Sequence, residues 1–149
     1  MKHTDSEKVF VANAHPSIMV DQIRVRDVAS TVLQKECKGG GRVNIVLATD
    51  ADLADLNSKY LDRDGSTDVL SFPMGDDEHI VQEEHIMGEV YVSLDRARQQ
   101  AKEYKVSFAE EVDRLVIHGV LHLCGYDHER ARDARMMKAK ERDFLEIFR

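Results

Sequence analysis

The chain lacks any apolar run approaching the roughly 20 residues that a membrane-spanning helix needs. Its first stretch, Met1-Lys2-His3-Thr4-Asp5-Ser6-Glu7-Lys8, has no apolar segment of the secretory kind. Both absences point to a cytoplasmic protein with no membrane partner. Only two cysteines occur, Cys37 and Cys124, too few for a disulfide framework and without the paired spacing of a thiolate metal site. Cys124 is expected to pack as a small apolar group, and Cys37 carries no signal. No repeat, low-complexity tract or interdomain linker divides the 149 residues, so a single domain over 1–149 is the simplest organisation. A surplus of positive charge is missing too. The net charge of −7 argues against a protein that holds nucleic acid by bulk attraction. The imbalance is local, because residues 50–90 carry twelve Asp/Glu against only Lys59 and Arg63. Any surface for a polyanion has to be assembled from the two ends of the chain.

What the chain does have is histidine in a telling place. Leu115-Val116-Ile117-His118-Gly119-Val120-Leu121-His122-Leu123-Cys124-Gly125-Tyr126-Asp127-His128 sets three imidazoles at H-x3-H-x5-H spacing in an otherwise apolar run. His118 and His122 are one helical turn apart and share a face. Gly125 can end the helix in the left-handed conformation, which lets the chain turn through Tyr126-Asp127 and bring His128 back over that face. Burying three imidazoles without partners costs several kcal/mol, and a shared metal supplies a partner to all three at once. Histidine ligation with an open position favours zinc at a catalytic site, with nickel, copper and iron allowed by ligand type.

The spacing coincides with the zinc-protease pattern H-E-x-x-H-x-x-G-x-x-H except where that pattern has its general-base glutamate. Here that place holds Gly119. A peptidase lacking this group loses the acceptor for the proton of its water.

The run from His118 to His128 resembles the signature of the YbeY family of rRNA-maturation endoribonucleases. Two more stretches are similar to that family: Leu56-Asn57 leading into Thr67-Asp68-Val69-Leu70-Ser71-Phe72-Pro73, and Gly88-Glu89-Val90-Tyr91-Val92-Ser93-Leu94. The resemblance covers residue 42 or so to the C-terminus.

In chain order, Lys8–Ala12 reads as a first strand, and Pro16-Ser17 opens a helix with Val20, Ile23, Val28 and Val32 as its apolar stripe. Gly39-Gly40-Gly41 ends that helix, with Arg24, Arg26, Lys35, Lys38 and Arg42 on its solvated face and exit. Val43–Ala48 is a β-branched strand, followed by a helix capped at Thr49-Asp50 and bearing Leu53, Leu56 and Tyr60. After the turn Asp62-Arg63-Asp64-Gly65, Asp68–Phe72 is a third strand. Met74–His85 reads as an exposed acidic loop whose His79 and His85 are surface residues, and Ile86–Val92 is a fourth strand. Ser93 caps a helix with Leu94, Ala97, Ala101 and Tyr104 on one face. Ser107-Phe108-Ala109-Glu110 has the form of a capping box for the histidine helix. Residues 129–148 make a last amphipathic helix with Met137, Phe144 and Phe148 inward. The fold predicted is α+β: one domain, a mixed four-stranded sheet, and about five helices around the central histidine-bearing helix.

The resemblance implies a zinc-dependent endoribonuclease, specific for single strands, that matures the 3′ end of 16S rRNA and takes part in ribosome quality control. The partners it implies are single-stranded rRNA, the small ribosomal subunit, and assembly factors such as the GTPase Era. The metal ligands expected are His118, His122 and His128, with one zinc ion per chain. Asp127 is the carboxylate nearest in sequence, able to orient a histidine or accept a proton, or equally to serve the turn. Thr67 and Ser71 are candidates to line the site. One departure stands out: the family places an arginine after the aromatic that is Tyr60 here, and this chain has Leu61. Arg63, two residues on, is the candidate to reach a phosphate instead. Two rival readings follow, an assembly protein whose metal is mainly structural and a zinc peptidase with an unconventional base.

Overall fold

Alternation along two strands sets the architecture. In Arg42–Ala48 (β2), Val43, Ile45 and Leu47 are fully buried while Asn44 and Val46 are only partly covered. Ile86–Ser93 (β4) repeats this with Val90 and Val92 inward and Glu89 and Tyr91 on the other side. A sheet with this period-two pattern has one face committed to the core and one that needs lighter cover. The computed structural model describes residues 8–37, 41–74 and 86–149. Within them the remaining strands are Val9–Asn13 (β1) and Val69–Pro73 (β3), and the sheet order is β1-β2-β4-β3. β1 pairs parallel with β2 and β2 with β4, whereas β3 is antiparallel to β4, so the sheet is mixed. The expected loop Met74–His85, with His79 and His85, and the glycines Gly39 and Gly40 lie largely outside the described residues.

Five helices complete the described fold: Gln22–Glu36 (α1), Asp50–Leu61 (α2), Leu94–Tyr104 (α3), Phe108–Leu123 (α4) and Ala131–Phe148 (α5). α2 covers the lighter face, where Leu53 and Leu56 meet Ala48, Leu70, Phe72 and Tyr91. The others gather on the committed face, and α4 touches β3, β4, α1, α3 and α5. The predicted α+β domain with a central histidine helix is therefore the fold found. No described helix is long and apolar enough to cross a membrane.

Three local expectations need correction. α1 starts at Gln22, capped by Asp21, rather than at Pro16-Ser17. The cause is His15, whose Nδ1 accepts from the backbone N–H of Ser17 (3.1 Å) and Ile18 (3.0 Å) and whose Nε2 therefore donates to Asp95 Oδ1 at 3.0 Å. These bonds fix a turn against the start of α3, and the stripe shifts to Val25, Val28, Ala29, Val32 and Leu33, leaving Ile23 exposed. Arg24 does not simply lie on a solvated face: it forks onto the buried carboxylate of Asp113, with Nη2 to Oδ2 at 2.7 Å. Cys37 and Cys124 are joined in a disulfide across 87 residues, tying the end of α1 to the end of α4. Two cysteines so far apart in sequence gave no spacing from which to predict a pair, yet the two helices end side by side.

Candidate metal centre

The histidine helix is built to hold its register. Ser107 accepts a hydrogen bond from the Glu110 N–H at 3.1 Å and starts α4. Glu110 does not reach back to complete the box, because its carboxylate is taken by Arg149 at 3.2 Å. At the other end Gly125 adopts φ +97°, its N–H bonds the His122 carbonyl, and the Tyr126 N–H bonds the Leu121 carbonyl, both at 3.1 Å. That pair of bonds is the Schellman stop expected of a glycine after a helix. Gly119 sits where α4 crosses the sheet. A Cβ there would stand 2.4 Å from Val90 Cγ1 and 3.3 Å from Ser71 Oγ, and Ser71 itself donates to the Gly119 carbonyl at 2.9 Å. The side-chain direction at 119 thus points into the sheet, so the missing protease glutamate has no room there.

Above this contact the three imidazoles converge. Ring centroids are 4.9 Å apart for His118–His122 and for His122–His128, and 5.6 Å for His118–His128. One nitrogen from each lies within 4.8 Å of the others, and His122 Nε2 is 3.0 Å from His128 Nδ1. His118 and His122 are partly buried, whereas His128 is exposed on the turn. Burial, then the neighbouring His118 and His128, pushes the His122 pKa down to about 4, so this ring is neutral near pH 7 with a lone pair to offer. A convergent, nitrogen-only donor set fits a borderline transition metal such as zinc.

The imidazoles open onto a cleft of about 640 Å³. It is lined as well by Leu61 at the end of α2, by Arg63, Asp64, Ser66, Thr67 and Asp68 of the segment after it, and by Ser71 and Pro73 of β3. The five residues given roles from the sequence, His118, His122, His128, Arg63 and Asp127, line this one cleft, as do Thr67 and Ser71. Arg63 is exposed and has no ion pair among the described residues. Asp127 Oδ1 accepts from the Glu129 N–H at 3.2 Å, an arrangement that serves the turn and leaves Oδ2 outside that bond. Leu61 borders the cleft with 37% of its surface exposed, so an arginine side chain at this position would have open space.

Sequence reasoning overlooked what stands behind the histidines. Glu141 of α5 is buried, and its Oε2 lies 2.7 Å from His118 Nδ1. Arg114 of α4 comes within 3.7 Å of Glu141 Oε1 while bonding Glu111 through Nε at 2.9 Å and Nη2 at 2.6 Å. A signal was present: Met137, Glu141 and Phe144 are spaced as one buried stripe, and a carboxylate inside such a stripe calls for a partner.

Comparison with known proteins gives a consistent picture. A family model described as Endoribonuclease YbeY matches residues 10–149. Proteins named Endoribonuclease YbeY are similar throughout: one from Flavobacterium psychrophilum is 39% identical, covering 80% of this chain and 81% of its own. Another, from Carboxydothermus hydrogenoformans, is 38% identical over 91% of this chain and 93% of its own. Among solved structures, the solution structure of TM1509 from Thermotoga maritima superposes with a TM-score of 0.61 at 27% identity, covering 93% of this chain and 87% of that one.

Proposed function

Since the chain belongs to the YbeY family of endoribonucleases, we propose that it is a zinc-dependent endoribonuclease acting on single-stranded rRNA. Its role on this reading is maturation of the 16S rRNA 3′ end and ribosome quality control in the cytoplasm. Its partners there are the small ribosomal subunit and assembly factors such as the GTPase Era. The observation that supports the chemistry is the convergence of His118, His122 and His128 on the floor of an open cleft. A zinc ion held by these three nitrogens supplies positive charge to polarise a phosphoryl oxygen and to ease ionisation of the attacking water.

The protein's own groups divide the remaining work. Arg63, which lines the same cleft as the histidines, can hold a non-bridging phosphate oxygen with its planar fork. Asp127, beside His128 in the chain and lining the cleft, can take the proton from water or hold the turn that carries His128. Asp64, Asp68, Asp127 and Glu129 all line the cleft. That acidity repels phosphate, so the ribonuclease reading requires the cleft to be loaded with a cation before substrate enters.

A second reading has one observation in its favour. With Leu61 where the family carries arginine, Arg63 is the one guanidinium lining the cleft among the described residues. A chain so equipped is also suited to bind rRNA without cutting it, with a structural metal. The peptidase reading is disfavoured by the packed environment of Gly119. Metal analysis joined to a cleavage assay on single-stranded rRNA separates the first two. We expect one zinc per chain, cleavage by the wild type, and loss of both stoichiometric zinc and cleavage in His122→Ala. Zinc-dependent folding without turnover would favour the binding protein.

A further inference from the structure

We infer that Glu141 is a positioning residue for the histidine site: it fixes the proton of His118 on Nδ1 and so turns the Nε2 lone pair towards His122 and His128. The inference rests on the reading of these three histidines as metal ligands and adds a requirement to it, namely which nitrogen of His118 is available.

The geometry begins with the short contact. Glu141 Oε2 lies 2.7 Å from His118 Nδ1, and the carboxylate side chain is only 9% exposed. A carboxylate can accept but not donate, so the proton in this bond belongs to the ring nitrogen. Free imidazole can place its proton on either nitrogen, and a metal can use only the one that lacks it. A buried acceptor at Nδ1 removes the choice. The bond also fixes the plane of the ring, which a helix residue with rotatable χ1 and χ2 otherwise leaves adjustable, and a carboxylate behind a histidine strengthens the opposite nitrogen as a donor.

Charge in the surrounding cluster points the same way. The guanidinium of Arg114 is surrounded by Glu111 at 2.6 Å, Glu141 at 3.7 Å and Asp68 at 3.9 Å. Gln100, a neutral donor, bridges Asp68 at 3.3 Å and Glu111 at 2.7 Å. One cation therefore faces three carboxylates, with Glu141 behind His118 and Asp68 reaching the cleft itself, and a cation bound at His118 would balance the excess. A cluster serving only to staple α3, α4 and α5 together has no need of Glu141: leucine at the same place in the stripe would pack without an ion to desolvate. Neither of the other two histidines has a carboxylate within hydrogen-bond distance among the described residues, and His122 meets instead a backbone group of Tyr126, so His118 is the member of the set with a charged partner.

The test reads the tautomer without metal and the affinity with it. In chelator-treated protein labelled with 15N-histidine, with His118 assigned by comparison with His118→Asn, the wild type should show a protonated Nδ1 and a bare Nε2. Glu141→Leu should move the proton to Nε2. Glu141→Gln keeps an acceptor oxygen but no charge, and should retain the Nδ1–H form. Competition with a zinc chelator should then give affinities lower by about tenfold in Glu141→Gln and about a hundredfold in Glu141→Leu. If Glu141→Leu fails to fold, the wild-type spectrum and Glu141→Gln still decide. A wild-type His118 protonated on Nε2, or a folded Glu141→Leu with zinc affinity within twofold of wild type, overturns the inference. A wild type that binds no zinc overturns the metal reading instead, and the two failures are distinguishable because the tautomer is measured on the metal-free protein.

Discussion

The two walls of the cleft are made differently. The histidine wall is a buried helix whose faces are all occupied: Val116, Ile117, Val120 and Leu121 in the core, Gly119 pressed on Val90, Arg114 held by acids, and His118 held by Glu141. The other wall is the end of α2 and the turn after it, from which Leu61, Arg63 and Asp64 line the cleft. Tyr60 is 67% exposed there, Asp62 adopts φ +50° as the helix cap, and Gly65 turns at φ +86° with nothing within 4 Å of where a methyl group would stand. Preorganisation is strong around the three histidines and slight at the end of α2. The difference teaches where sequence change is tolerated. The arginine-to-leucine departure at Leu61 falls on the wall that little else depends on.

The largest effect should come from breaking the packed wall. Gly119→Ala puts a methyl group 2.4 Å from Val90 Cγ1, against a β-branched side chain that is fully buried and cannot swing away. Overpacking of this kind costs about 1–3 kcal/mol, more than the ~1 kcal/mol gained in helix propensity. Urea unfolding should show a net loss in Gly119→Ala. Gly65→Ala meets no neighbour and should lose about 1 kcal/mol or less, through its left-handed backbone alone. Equal losses at the two glycines would erase the contrast.

A smaller effect should sharpen the contrast on the open wall. If Arg63 holds a substrate phosphate in place of an arginine at position 61, Arg63→Ala should lower rRNA cleavage at least tenfold, about 1.4 kcal/mol in the barrier. Zinc content and unfolding midpoint should stay as in the wild type, because Arg63 is exposed. Leu61→Arg, into open space at the cleft edge, should not lower activity and should rescue the Arg63→Ala loss in the double variant. Cleavage by Arg63→Ala at the wild-type rate would remove Arg63 from the site.

Local signals explain what could be read from the chain in advance. His118 and His122 at i, i+4, the glycine stop at Gly125, the caps at Thr49, Ser93 and Ser107, and the alternation in β2 and β4 all act within a few residues, and each is found in place. What escaped acts across the fold. The start of α1 depends on Asp95, 80 residues from His15; the disulfide spans 87 residues; the partner of His118 is 23 residues on, in another helix. A stripe or a spacing says which face is buried, but not which polar group on a second element will meet it. The order β1-β2-β4-β3 was likewise beyond the pattern, since no strand states its neighbour.

The smallest expected effect concerns protons on the packed wall. An unfolded histidine takes up its proton near pH 6.5, whereas burial and the neighbouring histidines hold His122 neutral in the fold until about pH 4. Between those values the unfolded chain binds more protons than the native one at this site, so lowering the pH through the window favours unfolding. Above it the contribution is constant, and below it no further loss accrues. In chelator-treated protein the thermal midpoint of the wild type should therefore drop more steeply from pH 6.5 to 4 than that of His122→Asn, which has no proton to gain at this position. Groups distant from the three histidines titrate alike in both proteins and cancel in the difference. Parallel curves would mean that the ring of His122 is solvated in the metal-free state, and the histidine wall would then be no more preorganised at this point than the turn it faces.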